Sequence, residues 1–239
     1  MRNLIKILLL FSFLFKFGVA AGQGFSYPII NKEEKTVENF IPCGWAIKDS
    51  AAGDLNNDGI ADFVIVLEYK NSAAIIKEKN DSLQMVTTHP RILIILLRNN
   101  LSNELQLADQ NNRFILTQDD SLAEDPYQGI NIENEILYIH FIVFYGSAYK
   151  MLSYAFRFQN KLCALIGADS QYFNPATRES DDCSYNFLTK RWSEIINENN
   201  DDPKTRPQKT LHTVGLKGLK TLRSFGEANT WKVTKDNSL

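Results

Sequence analysis

Ile136-Leu137-Tyr138-Ile139-His140-Phe141-Ile142-Val143-Phe144-Tyr145 is apolar almost throughout. Such a run suits a central strand covered on both faces. Working outward, Phe63-Val64-Ile65-Val66-Leu67 is a compact β-branched run. Ile92 to Leu97 is another, with Pro90 just before it, where a missing donor does little harm. Arg113 to Thr117 is a shorter candidate strand, and Tyr185 to Trp192 a more polar one. Two hairpins stand out. Ile130 and Ile132 precede Asn134 before Ile136 resumes the pattern. Tyr154, Phe156 and Phe158 alternate with small or polar residues, Gln159-Asn160 turns the chain, and Leu162 to Ile166 returns. Aromatic and β-branched residues concentrate in these runs, as a pleated surface favours. The expected fold is mainly β (α+β): an antiparallel sheet or sandwich with one or two short helices.

Residues 33–41 read as one of those helices, with Val37, Phe40 and Ile41 on one side and Pro42 as its stop. The polar stretch 71–90 reads as a long loop. Residues 197–209, rich in Asn, Asp and Glu and holding Pro203 and Pro207, read as a solvated linker. Leu211, Val214, Leu216, Leu219 and Leu222 then mark a short helix or an irregular tail. The expected organisation is a β-rich domain over 24–196 and a polar linker with a C-terminal extension, 197–239, packing back on it. No internal repeat is visible.

The first 21 residues have three zones: a positive front at Arg2 and Lys6, an apolar run from Ile7 to Phe15, and small residues Gly18 to Ala21. This is the pattern of a secretory signal peptide cleaved after Ala20 or Ala21. The run is shorter than the roughly 20 residues a bilayer span requires. Export to a secreted or periplasmic location is therefore expected, with no membrane span in the mature chain. Removing residues 1–21 leaves 23 basic against 28 acidic residues, a formal charge of −5. A mildly acidic domain lacks the clustered Lys and Arg that phosphate contacts need, so nucleic acid is not an expected partner. The three cysteines allow at most one internal disulfide. Cys163 and Cys183 are the expected pair, leaving Cys43 as a buried thiol; the alternative is three unpaired buried thiols.

One motif carries chemistry. In Gly53-Asp54-Leu55-Asn56-Asn57-Asp58-Gly59-Ile60-Ala61-Asp62, oxygen-bearing side chains stand at loop positions one, three, five and nine: Asp54, Asn56, Asp58 and Asp62. Hard cations such as Ca²⁺ need several oxygens wrapped around one point, and alternate positions of a tight loop supply them. Ile60 would add its backbone carbonyl, and Gly59 permits the sharp turn. Position twelve is Ile65, not Glu, and a β-run follows where an EF-hand would start a helix. Against the metal stands the bare alternative of a good acidic turn before a strand.

This DxNxDGxxD loop, leading straight into a strand, resembles the calcium loop of FG-GAP and VCBS repeats, the units of integrin-type β-propellers. The resemblance covers about 16 residues and implies a structural Ca²⁺ held by Asp54, Asn56, Asp58, Asp62 and the Ile60 carbonyl. A propeller needs repeated blades, and one copy is present, so a complete propeller is not expected. The whole chain is also similar to exported bacterial proteins with a lone loop of this kind, a resemblance that implies no activity.

No catalytic constellation emerges. His89, His140 and His212 are far apart in sequence, and His140 reads as a satisfied core or rim residue. Asp119, Asp120, Glu124 and Asp125 read as a solvated acidic loop, with a second cation site or a glycosidase pair as minor options. No GxSxG elbow is present. Tyr145, Tyr149, Tyr154 and Tyr172 could line a carbohydrate-binding face, although at strand spacing they are more often core. Three classes of function stay open: a non-enzymatic exported binding module stabilised by calcium, an inhibitor or immunity-type partner of the cell envelope, and a hydrolase with widely scattered residues. The ligand, if any, would be protein or carbohydrate.

Overall fold

A computed structural model describes residues 25–79, 82–119, 122–197, 208–235 and 237–239. The signal-peptide expectation, most of the expected linker and Asp120 lie outside these residues. In chain order the strands are β1 (Glu33–Glu34), β2 (Trp45–Gly53), β3 (Asp62–Tyr69), β4 (Ala73–Lys79), β5 (Ser82–Thr88), β6 (Arg91–Arg98) and β7 (Leu105–Asn111). They continue as β8 (Tyr127–Glu133), β9 (Ile136–Tyr145), β10 (Ala148–Gln159), β11 (Leu162–Phe173), β12 (Ser180–Asn186), β13 (Arg191–Asn197) and β14 (Gln208–Thr213). A five-stranded sheet runs β1-β7-β6-β3-β2 and a seven-stranded one runs β14-β13-β12-β11-β10-β9-β8. β4 and β5 form a separate hairpin. All ladders between these strands are antiparallel. The protein is a mainly β sandwich of two stacked sheets, with two short 3-10 turns.

The sheets share one core. Val64, Val66, Leu93 and Ile95 of the smaller sheet meet Leu137, Ile139, Phe141, Leu152, Tyr154, Phe156 and Leu165 of the larger. Phe114 sits among them, edge-on to Phe141, Tyr154, Phe156 and Phe225 with centroids 5.0 to 5.9 Å apart. The reverse face of the smaller sheet has its own core: Ile65, Leu67, Ile92, Ile94 and Leu96 lie under Phe25, Tyr27, Ile30, Val37 and Phe40. β3 and β6 are thus the strands covered on both faces, and their burial is nearly continuous.

That differs from the expectation for 136–145. β9 buries Leu137, Ile139 and Phe141 on one face, while Tyr138, His140 and Ile142 are half-buried and Phe144 and Tyr145 exposed. No second layer lies over its outer face among the described residues, so its apolar continuity marks a strand with one partly bare side. The expected helix at 33–41 is a short strand followed by a four-residue 3-10 turn, Val37–Phe40. Glu33 and Glu34 are drawn into pairing with β7, and Pro42 leaves no room for a longer helix. Arg113 to Thr117 is not a strand. The Asn111 carboxamide accepts from Arg113 N (2.7 Å) and Phe114 N (2.8 Å), which ends β7 and turns Phe114 inward. The polar stretch 71–90 forms the β4–β5 hairpin instead of a loop. Tyr185 to Trp192 spans the turn between β12 and β13. At the C-terminal end β14 extends the larger sheet, and Val214, Leu222, Phe225, Ala228 and Leu239 are buried in the main core.

Residues 134–135 and 160–161 make two-residue turns with positive φ at both positions, 51° and 64°, then 52° and 62°. That twist matches a tight antiparallel hairpin; both expected hairpins form, the second turning at Asn160-Lys161, one residue later than the expected Gln159-Asn160.

Where β2 flanks β8, the sheets touch edge to edge. The Tyr127 hydroxyl donates to Asp49 Oδ2 (2.8 Å) and Ile130 N donates to the same oxygen (3.3 Å). Gly53 closes this seam: a Cβ there would stand 2.6 Å from Ile132 Cγ2 and 3.0 Å from its Cβ. A β-branched side chain cannot fold away from that overlap. Gly53→Ala is therefore expected to lower stability by about 1–3 kcal/mol. Ile132→Ala in the same chain should recover part of the loss. Urea denaturation of the two variants checks this.

Candidate functional site

The loop 54–62 is organised by its own oxygens. Asp54 accepts from Asp58 N (3.2 Å) through Oδ1 and from Gly59 N (2.8 Å) through Oδ2. Asp58 Oδ1 accepts from Ile60 N (2.9 Å), and Asn56 Nδ2 donates to Asp58 Oδ2 (2.9 Å). Asn57 and Gly59 take positive φ, 59° and 83°. Asp62 is buried and is the loop's anchor: Oδ2 accepts from Leu55 N and Oδ1 from Arg98 N, both at 2.9 Å. Burial raises the Asp62 pKa, the two amide bonds oppose that, and the charges of Asp58 and Asp54 add to the rise. Hydrogen bonds thus tie Asp54, Asn56 and Asp58 to one another, and the charges of Asp54 and Asp58 reach Asp62 at the start of β3.

Two members of the acidic cluster, Asp119 and Asp125, are not solvated as expected. Asp125 forms a two-toothed pair with buried Arg91, its Oδ1 accepting from Nη1 at 2.8 Å. Arg91 Nε also donates to Glu68 Oε2 (2.7 Å), and Lys48 Nζ lies 3.2 Å from Glu68 and 3.0 Å from Asp125. Burial works against the Asp125 charge, yet the bonds and charge of Arg91 outweigh it and hold the carboxyl at about 2. Asp119 is buried beside Thr88, with which it forms a β-bridge, and Glu124 is exposed. The partners come from β2, β3 and β6, which no local reading of 119–125 could supply.

Next to this network lies a cleft of about 800 Å³. Its floor carries Lys77, Thr117, Asp119, Glu227 and Asn229, and its rim the exposed Phe144 and Tyr145. Lys77 Nζ donates to Thr117 O (3.3 Å) and sits 3.8 Å from Glu227. Asn229 Nδ2 donates to the Tyr145 hydroxyl (2.7 Å), and Asn229 N to that of Tyr154 (2.9 Å). Of the four tyrosines read as a face, Tyr145 reaches this cleft and Tyr154 is fully buried in the core. Tyr149 lies in an aromatic row with Phe144 and Phe173, centroids 6.3 and 5.8 Å away. Tyr172 pairs with Lys150 across β10 and β11. They do not form one face.

The histidines sit in three separate places, His140 on β9, His212 on β14 and His89 in the connection between β5 and β6. His140 contacts Asn131 Oδ1 (3.0 Å) and burial lowers its pKa. His89 contacts Tyr69 O (3.0 Å), and His212 stacks on Trp192 at 4.2 Å. All three cysteines are free thiols, so the expected Cys163–Cys183 bridge does not form. Cys183 pairs with Ser170 across β11 and β12, seven positions from Cys163, or about 23 Å along the strand. A disulfide needs Cα atoms within about 7 Å. Cys43, expected buried, is exposed. Burial and then Asp181 push the Cys183 thiol up to about 12.

One cluster escaped the sequence reading. Asp181, Cys183 and Glu194 bring ligand atoms within 4.8 Å of one another. Among the described residues no other three Asp, Glu, Cys or His groups come so close, so the loop carboxylates at 54, 58 and 62 stand wider apart. The signal was present in the i, i+2 spacing of Asp181 and Cys183, but it needed the turn after β12 to be recognised.

No protein-family model, curated protein or solved structure matches the chain. No helix among the described residues is long and apolar enough to cross a membrane.

The Asp125 geometry sets a pH dependence. Its carboxyl titrates at about 2 in the folded protein against an ordinary value near 3.9 when unfolded. The stabilisation is present above about pH 4 and is lost as pH falls towards 2, an effect of about 2 kcal/mol. Asp125→Asn should lower stability at pH 7 and shrink the decline between pH 4 and 2. Denaturant melts across that range measure both.

Proposed function

We propose that this chain is an exported, non-enzymatic binding module whose loop 54–62 holds a structural Ca²⁺ and whose cleft receives a hydrated polar ligand of carbohydrate type. The cleft is the observation that carries the binding reading. It joins two exposed rings, Phe144 and Tyr145, to a floor of amide, hydroxyl, ammonium and carboxylate groups. Sugars offer apolar faces for stacking and hydroxyls for such partners, and small-ligand sites are concave with a few convergent polar groups.

The calcium reading rests on ligand type and on the anchor. Asp54, Asn56 and Asp58 carry the loop's oxygens, and Asp62 ties the loop to the end of β6. An ion there would relieve the mutual repulsion of the carboxylates. With a Kd on the order of 10⁻⁴ M, millimolar calcium stabilises the fold by roughly 1.4 kcal/mol. The melting temperature should rise by about 2–4 °C, and Asp58→Ala should abolish the rise. Magnesium should substitute poorly. An identical melt in chelator and in several millimolar calcium rejects the ion and leaves an acidic turn.

A second reading, a partner protein of the cell envelope, is favoured by the β4–β5 hairpin. Ile76 and Met85 face each other across it, and with Leu83 they are 67 to 76 % exposed. Exposed apolar patches of this kind mark contact surfaces. One assay separates the classes: incubation with purified peptidoglycan and with insoluble glucans. Retention that Tyr145→Ala and Asn229→Ala both weaken, without soluble fragments, supports the module. Release of soluble sugar, dependent on Asp119 or Glu227, would instead make the chain a hydrolase. No retention on any of these polymers would remove the carbohydrate reading and leave the hairpin.

A further inference from the structure

A smaller cavity of about 160 Å³ adjoins the cleft. The two share Leu122, Pro126, Val143 and Phe144, so they meet along those side chains. Their chemistry is opposite. The cleft floor is polar, with Lys77, Thr117, Asp119, Glu227 and Asn229. The side pocket adds Ile142 to the four shared hydrocarbon walls, and among the described residues Glu124 is the only charged group in its lining. We propose that this side pocket receives the acetamido group of an N-acetylated amino sugar whose ring lies in the cleft, an inference that rests on the carbohydrate reading of that cleft.

Size is the first support. A heavy atom with its hydrogens fills about the volume of a liquid water molecule, roughly 30 Å³. The four heavy atoms of an acetamido group then need on the order of 120 Å³, which the pocket supplies. A hexose with its hydroxyls, about eleven heavy atoms, needs about 330 Å³ and does not fit. The pocket is therefore the size of a substituent and not of a second ring. A Cβ at Gly146 would meet no heavy atom within 4 Å, so the turn between β9 and β10 leaves this space unfilled.

Polarity is the second support. A hydroxyl or an ammonium placed among these walls gives up water to hydrocarbon, at a cost. A methyl gains by the same transfer. The acetamido N–H still needs an acceptor, and the exposed Glu124 carboxylate supplies one. Phe144, the exposed wall common to both cavities, gives the sugar ring a face to rest on and carries its substituent towards the pocket. Small-ligand sites combine apolar walls with a few placed polar groups in this way. The competing account starts from the same carboxylate: Glu124, with Glu227 in the cleft, would select a positive charge instead of an acyl group.

Three trisaccharides with one β-linked backbone separate these accounts. Tri-N-acetylchitotriose, chitotriose and cellotriose carry an acetamido, an amine and a hydroxyl at C2. Each is titrated into the full chain by calorimetry, in millimolar calcium and at a pH where the amine is protonated. The acetylated trimer should bind at least about tenfold tighter than cellotriose, the scale of one methyl-sized group in an apolar pocket. Ala123→Phe adds bulk at an exposed position that lines the side pocket and not the cleft, and should erase that difference. Ile142→Ala removes one apolar wall and should reduce it, which decides the matter if circular dichroism shows that Ala123→Phe does not fold. Equal affinity for the acetylated and plain trimers, tightest binding of chitotriose, or a preference that survives these substitutions overturns the proposal and leaves the carbohydrate reading standing. Binding of none of the three removes that reading and the proposal with it.

Discussion

Two neighbouring strands that are apolar on both faces demand two covers, and the architecture answers that demand. β3 and β6 bury their side chains alternately towards the larger sheet and towards the N-terminal segment. Each buried aliphatic side chain contributes about 1.5–3 kcal/mol relative to exposure, so neither face can be left to water. The first cover is the seven-stranded sheet. The second is thin: residues 25–41 with one 3-10 turn, held by rings such as Phe25, Tyr69 and Trp45 with centroids 5.2 to 6.2 Å apart.

Polar groups then fix where those layers sit. Asn111 takes two amides of its own turn and gives its NH₂ to Leu222 O (2.7 Å) and Phe225 O (3.0 Å). One carboxamide thus sets Phe114 and Phe225 in contact from sequence positions more than a hundred residues apart. Arg91 plays the same part at the cleft side, joining β3, β6 and the segment ahead of β8. A buried charge with fewer partners would be costly, which makes these networks determinants of position more than sources of stability.

The fold class was legible because strands announce themselves locally. The runs at 63–67, 92–97 and 136–145 and both Asn turns can be read without knowing their neighbours. What could not be read was which run lies between two layers: β9 is as apolar as β6, and only the position of the N-terminal segment separates them. The hairpin at 71–90 was hidden because its outer face is in solvent and its polar residues resemble a loop. At the candidate sites the calcium-type loop was visible because its residues are contiguous. Arg91 with Asp125, the cleft, and Glu194 beside Cys183 join distant strands, so no spacing along the chain reveals them. The Cys163–Cys183 pairing failed for the same reason. Adjacency of two strands says nothing about register until the turn between them is located.

The two-residue turns at 134–135 and 160–161 have a consequence for how this chain can vary over evolutionary time. Side chains alternate with a period of two, so one inserted or deleted residue at either turn would send Leu137, Ile139 and Phe141, or Cys163 and Leu165, to the opposite face. Lineages of such a chain can substitute freely at many outward positions, yet those turns behave as fixed-length rulers. Changes in length have room only where a connection leaves the ladder untouched, as between β7 and β8, whose course is set by Asn111 and Asp125 side chains and not by strand pairing.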